Sequence, residues 1–103
     1  MSDWYGVDLD GTLARSHPAD VVPNDFVGTP IAPMVARVKR WLSEGKDVRI
    51  FTARDAQAYP AIRKWCMKHL GKTIKITNKK DRDMVELWDD RAVQVEHNTG
   101  RRM

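Results

Sequence analysis

Apolar segments of two different periods alternate along this chain, and that alternation leaves little freedom in the choice of fold. Trp4-Tyr5-Gly6-Val7-Asp8-Leu9 reads as a short buried strand. Met34, Val35, Val38, Trp41 and Leu42 recur at i, i+1, i+4, i+7 and i+8, one face of a helix. Pro33 suits its first turn and Gly45 the position just past its end. Asp47-Val48-Arg49-Ile50-Phe51-Thr52 is a second strand. A second helix runs from Tyr59 or Pro60 to Leu70, with Ile62, Trp65, Cys66, His69 and Leu70 on one face and Gly71 ending it. Thr73 to Thr77 is a third strand whose polar alternation suits an edge. Val85 to Trp88 is a fourth, and Ala92 to Val95 is a candidate fifth.

Strand, helix, strand, helix, strand describes an α/β domain with a mostly parallel sheet. At 103 residues there is room for one such domain, read here as residues 1–97 with a loose basic tail at 98–103. One step fits poorly. Parallel neighbours need about a dozen connecting residues, and strands three and four have fewer, so they need not be adjacent. Asn78 to Met84 is polar and has space for one helical turn. Residues 14–32 form a long irregular stretch broken by Pro18, Pro23, Gly28 and Pro30, and such loops are often functional.

A single cysteine, Cys66, excludes an internal disulfide framework, and His17, His69 and His97 are too scattered for a zinc site. No apolar run approaches the roughly 20 residues that span a bilayer, and Met1 to Tyr5 does not read as a signal peptide. The expectation is a soluble cytoplasmic protein without membrane partners, as a monomer or homo-oligomer. The net charge of +4 is mild but uneven: Arg63 to Arg82 holds eight basic residues and one acid. That run is either a solvated face or a surface that meets an anionic substrate, nucleic acid included. Trp4, Trp41, Trp65 and Trp88 sit on apolar faces or in strands and read as core. His17 lies in the loop after the first strand, where it either touches substrate or faces solvent.

Polar groups on such a sheet act at the carboxyl ends of its strands. Strand one ends in Asp8-Leu9-Asp10, strand two in Thr52 and strand four in Asp89-Asp90, while Lys79-Lys80 follows strand three. Strand period places Asp8 and Asp10 on one side, and Gly11 permits a sharp departure. Carboxylates about 4 Å apart repel by roughly 4 kcal/mol per pair at an effective dielectric near 20. A cation between them offsets this, and carboxylate and water ligands suit Mg²⁺. An Asp-Gly turn alone would be weak evidence, whereas suitable groups at four strand ends in order are stronger.

Asp8-Leu9-Asp10-Gly11-Thr12-Leu13 resembles the first motif of the haloacid dehalogenase superfamily of phosphohydrolases. Thr52, Lys80 or Lys79, and Asp89-Asp90 resemble the second, third and fourth. The resemblance implies a Rossmann-like fold and a phosphatase. Asp8 would be the nucleophile that forms a phosphoaspartyl intermediate, and Asp10 the general acid and base. Thr52 would bond a phosphoryl oxygen and Lys80 would neutralise charge. Mg²⁺ would be held by Asp8, the backbone carbonyl of Asp10, Asp89 and Asp90. Leu9, Ala53, Arg54, Lys79 and Arg91, beside the matched motifs, would contact the substrate. Family members that keep a phosphoenzyme for other purposes, such as ion-pumping ATPases, lack the second acid present here as Asp10. Neither connection is long enough for a cap domain, which implies an open site and suits a bulky substrate. Asp8 to Ala14, Ile31 to Val35, Arg63-Lys64-Trp65 and Asp89 to Arg91 also resemble the phosphatase half of phage-type polynucleotide kinases, which implies a nucleotide or nucleic-acid end phosphate. Two other classes compete. A signalling receiver domain needs an acid at the end of strand three, where Ile76-Thr77-Asn78 has none. A non-catalytic module that binds phosphate or nucleic acid would keep the fold without turnover.

Overall fold

The computed structural model describes residues 3–16 and 23–103, so His17 and Pro18 lie outside the described residues. The chain is an α/β domain built on a four-stranded, all-parallel sheet. The strands are β1 (Trp4–Val7), β2 (Asp47–Phe51), β3 (Ile76–Thr77) and β4 (Met84–Trp88), in the spatial order β3-β2-β1-β4. Helix α1 (Ala32–Ser43) joins β1 to β2. One turn of 3₁₀ helix (Ala56–Ala58) and α2 (Tyr59–Leu70) join β2 to β3. Together these make a small Rossmann-like arrangement, with no cap among the described residues.

Both helices pack on one face of the sheet. Val7, Val48 and Ile50 meet Met34, Val38 and Trp41 of α1 and Ile62, Trp65, Cys66 and Leu70 of α2 in one buried cluster. These are the helix faces that the sequence spacing marks. Tyr5 and Trp88 flank Trp41 edge-on, with ring centroids 4.9 and 5.3 Å away. The end of α1 follows from Gly45. At φ +80 it lets its N–H reach the Leu42 carbonyl while the Lys46 N–H reaches Trp41, a Schellman closure.

The opposite face carries Trp4, Gly6, Arg49, Phe51 and Leu87. Here the short connection between the third and fourth strands finds its explanation. β3 and β4 lie at opposite edges, three inter-strand spacings or about 14 Å apart. The seven steps from Thr77 to Met84 reach about 25 Å when extended. Segment 78–83 therefore crosses the sheet on the side away from the helices. It is tied down there by the Trp4 indole N–H donating to Asp81 (2.8 Å) and by the Trp4 backbone N–H donating to the Asp83 carbonyl (2.9 Å). The indole bond and the Asp83 N–H hold the Asp81 carboxyl below its usual pKa range. Trp4 is fully buried as a result, beneath the Arg49 guanidinium 4.6 Å from its ring. Reversing both the direction of travel and the face preserves the hand of the connection.

Four expectations are corrected. β3 covers only Ile76–Thr77. Residues 78–83 contain a turn but no helix, because they are stretched across the sheet. Residues 92–95 do not add a fifth strand beside β4. Four residues with exposed Val93 and Val95 bury too little apolar surface to order there. They pair instead with the tail: Glu96 N–H to Arg101 carbonyl, Met103 N–H to Gln94 carbonyl (2.9 Å), and an Arg101–Glu96 ion pair (2.6 Å). The tail is thus a hydrogen-bonded hairpin rather than a loose end. Among the described residues, no helix is long and apolar enough to cross a membrane.

Candidate active site

β1 connects onward to β2 on one side and borders β4 on the other, so the order of the sheet reverses between β1 and β4. In open α/β sheets, ligands bind outside the carboxyl ends of the strands at such a point. Asp8 follows β1 and Asp89-Asp90 follow β4. The Asp8 N–H donates to the Trp88 carbonyl at 2.8 Å, continuing the ladder by one bond and bringing the two strand ends together. Carboxylate oxygens of Asp8, Asp89 and Asp90 all lie within 4.8 Å of one another.

Gly11 makes room for this cluster. Its φ of +92 turns the chain sharply after Asp10. A Cβ built there would stand 2.7 Å from an Asp90 carboxylate oxygen. Thr12 fastens the approach from β1, its hydroxyl donating to Asp90 Oδ1 (3.1 Å) and accepting the Asp90 N–H (3.0 Å). Gly11→Ala should destabilise the fold by about 1–2 kcal/mol for the left-handed backbone alone, read from urea unfolding, and should displace Asp90 as well. An unchanged midpoint would refute this account of the turn.

Asp8 is the electrostatic centre. Its pKa is pushed from 3.8 up to about 7, chiefly by burial and then by the charge of Asp89 and the hydrogen bond and charge of Asp90. The Leu9 backbone N–H opposes the rise. None of the leading influences is a cation. Three half-buried or exposed carboxylates form an all-oxygen donor set, and a hard divalent ion such as Mg²⁺ suits it.

The Asp10 carboxylate stands apart from this cluster. Both its oxygens accept from Arg54, from Nη2 at 2.7 Å and Nε at 2.9 Å. Arg54 Nη1 donates to the Phe26 carbonyl at 2.6 Å, and the Arg54 backbone N–H donates to the Thr52 hydroxyl at 3.2 Å. The Arg54 side chain is only 10% exposed. One guanidinium thus joins the end of β1, the end of β2 and the 23–30 loop.

The other expected residues divide. Thr52 is buried at the end of β2, its N–H donating to the Thr77 carbonyl (3.0 Å). Leu9 has its side chain wholly in the core, so only its backbone faces the acids. Ala53 and Arg91 are exposed beside the site, and the Arg91 N–H donates to Asp89 (2.7 Å). Lys79 and Lys80 are both exposed, and neither forms an ion pair among the described residues. Segment 78–83 forms no helix around either lysine. The Arg54–Asp10 clamp was missed as such. Its only signal in the sequence was a cation two residues after Thr52.

The fold has a solved counterpart. A structure described as that of a conserved protein coded by a locus of Bacteroides thetaiotaomicron superposes with a TM-score of 0.68 at 20% identity, covering 90% of this chain and 79% of the other. At that identity the likeness is one of fold. No protein-family model and no curated protein matches the chain.

Proposed function

We propose that this protein is a Mg²⁺-dependent phosphomonoester hydrolase of the haloacid dehalogenase type. The observation that carries the reading is the meeting of Asp8 with Asp89 and Asp90 at the point where the sheet order reverses, with Asp10 clamped alongside. Asp8 lies 81 and 82 residues before Asp89 and Asp90 in the sequence, and three like charges need a reason to crowd together. A divalent ion gives them one.

In this mechanism an Asp8 oxygen attacks phosphorus, and the bond from phosphorus to the leaving alcohol breaks. Asp10 supplies the proton that the alcohol takes. A water then attacks phosphorus, Asp10 receives its proton, and the phosphorus–Asp8 bond breaks to release phosphate. Asp8, Asp89 and Asp90 would hold Mg²⁺, with the Asp10 carbonyl as a further ligand. The ion supplies charge neutralisation where phosphate approaches a carboxylate. Thr52 would donate to a phosphoryl oxygen, and Lys80 or Lys79 would approach from the loop after β3.

Arg54 orients Asp10. Since both Asp10 oxygens accept from it, one contact must open before Asp10 can carry a proton to the leaving group. Arg54→Gln should lower kcat by about tenfold to a hundredfold through misplacement of Asp10, with a smaller change in KM. Steady-state kinetics checks the split, and a KM effect alone would make Arg54 a substrate ligand instead.

A nucleotide or nucleic-acid end phosphate is the proposed substrate, since an uncapped site admits a large leaving group. A cytoplasmic location goes with it, as the single thiol, Cys66, is buried and unpaired. The deciding experiment measures Mg²⁺-dependent phosphate release from sugar phosphates, nucleotides and 3′- or 5′-phosphorylated oligonucleotides. Release that disappears with EDTA supports the reading, and no release from any class ends it.

A further inference from the structure

A second groove lies on the far side of the 23–30 loop. It is shallow and open to solvent, with about 400 Å³ between that loop and α2, Val27, Pro30, Ala61 and Trp65 as an apolar floor, and Lys64 and Lys68 on its rim. Its walls are held in place. The Trp65 indole N–H donates to the Gly28 carbonyl (2.8 Å, buried), and the His69 ring packs 4.7 Å from that of Trp65. Asp25 is the one acid on the lining.

Lys64 and Lys68 are spaced i, i+4, so their charges repel along the helix. α2 contains no acid, and among the described residues none of its cations is in an ion pair. Low-dielectric walls beside unneutralised charge of one sign focus a positive potential. The groove also shares its loop with the Arg54–Asp10 clamp: Phe26, whose carbonyl accepts from Arg54, sits between the lining residues Asp25 and Val27.

We infer that this groove is a subsite for a second phosphate of the substrate, reached across the loop from the first. The inference rests on the phosphatase reading for the first phosphate and extends it. Preferred substrates carry at least one phosphate beyond the one hydrolysed. Such a group belongs either to a small bisphosphate or to the backbone of a nucleic-acid strand.

The test separates binding from turnover. In an Asp8→Asn background, fluorescence anisotropy follows a dye-labelled single strand bearing a 3′-phosphate, with a small bisphosphate and a small monophosphate as competitors. Lys64→Gln with Lys68→Gln should weaken strand or bisphosphate binding about tenfold and erase its advantage over the monophosphate. For the strand, the salt slope should fall by about 1.4, two contacts at roughly 0.7 each. Loss confined to the strand identifies nucleic acid as the source, and loss confined to the bisphosphate identifies a small molecule. A wild type that ignores the second phosphate overturns the inference. So does an equal loss when Lys39 and Arg40, exposed on α1, are changed to glutamine. A lysine-dependent preference without phosphate release by wild type leaves the groove standing and removes the phosphatase. Release without the preference does the reverse.

Discussion

Asp8→Asn should abolish phosphate release and at the same time stabilise the metal-free fold at neutral and alkaline pH. The first effect follows from the proposed role. An amide is a poor nucleophile, and removing the attacking group of a covalent mechanism lowers kcat by about a thousandfold or more. The second follows from the environment of Asp8. Its carboxyl ionises near 7 in the folded protein, against 3.8 as the ordinary value. The native state therefore binds a proton more tightly than the unfolded chain between those values. Stability from this group is fully present below about 4, declines as pH rises and is lost through about 7. Asparagine has no proton to lose, so that decline should vanish. Urea unfolding of both proteins in EDTA from pH 4 to 9 measures it. Equal activity of the two would remove Asp8 as nucleophile. Parallel pH profiles would show that Asp8 is not the strained group.

Mg²⁺ should raise the thermal midpoint of the wild type by a large amount for so small a domain. A ligand at about a hundred times its Kd adds about 2.7 kcal/mol. A domain near 100 residues gains about 4–8 °C per kcal/mol, which makes the expected shift about 10 °C or more at saturation. The expected size reflects what the proposed ion would do: attract all three carboxylates that otherwise repel one another. Asp89→Asn with Asp90→Asn should lose the shift, because only Asp8 of the cluster remains. The shift should also shrink below about pH 6, where a proton competes with the metal for Asp8. Differential scanning calorimetry with and without Mg²⁺ decides the matter. A full shift in the double variant would place the ion elsewhere.

The groups of this site were legible to different degrees. Asp8 and Asp10 stand two apart at the end of an apolar segment, and Asp89-Asp90 closes another, so local pattern was sufficient to select them. That their side chains part in space was not visible. Alternation puts Asp8 and Asp10 on one side, yet in the structure Asp8 joins Asp89 and Asp90 while Asp10 turns to Arg54. The Gly11 turn and the Thr12–Asp90 bonds decide that, and the latter link residues 78 apart. Lys79 and Lys80 show the limit from the other side. They follow the third strand in the sequence, but where they stand depends on how segment 78–83 crosses the sheet, which local pattern does not record.

By itself the sequence determined the first, second and fourth strands, both helices and their buried faces, because periodicity, turn residues and caps act over a few positions and their free energies are local. The number and order of strands came only with the tertiary structure. Whether 92–95 pairs with β4 or with the tail depends on how much surface each choice buries. Whether 78–83 coils or crosses beneath Trp4 depends on where β3 and β4 stand. The contact of Arg54 with Asp10 likewise exists only once β1 and β2 are side by side. Each of these is a competition between distant partners, and no local pattern records which partner prevails.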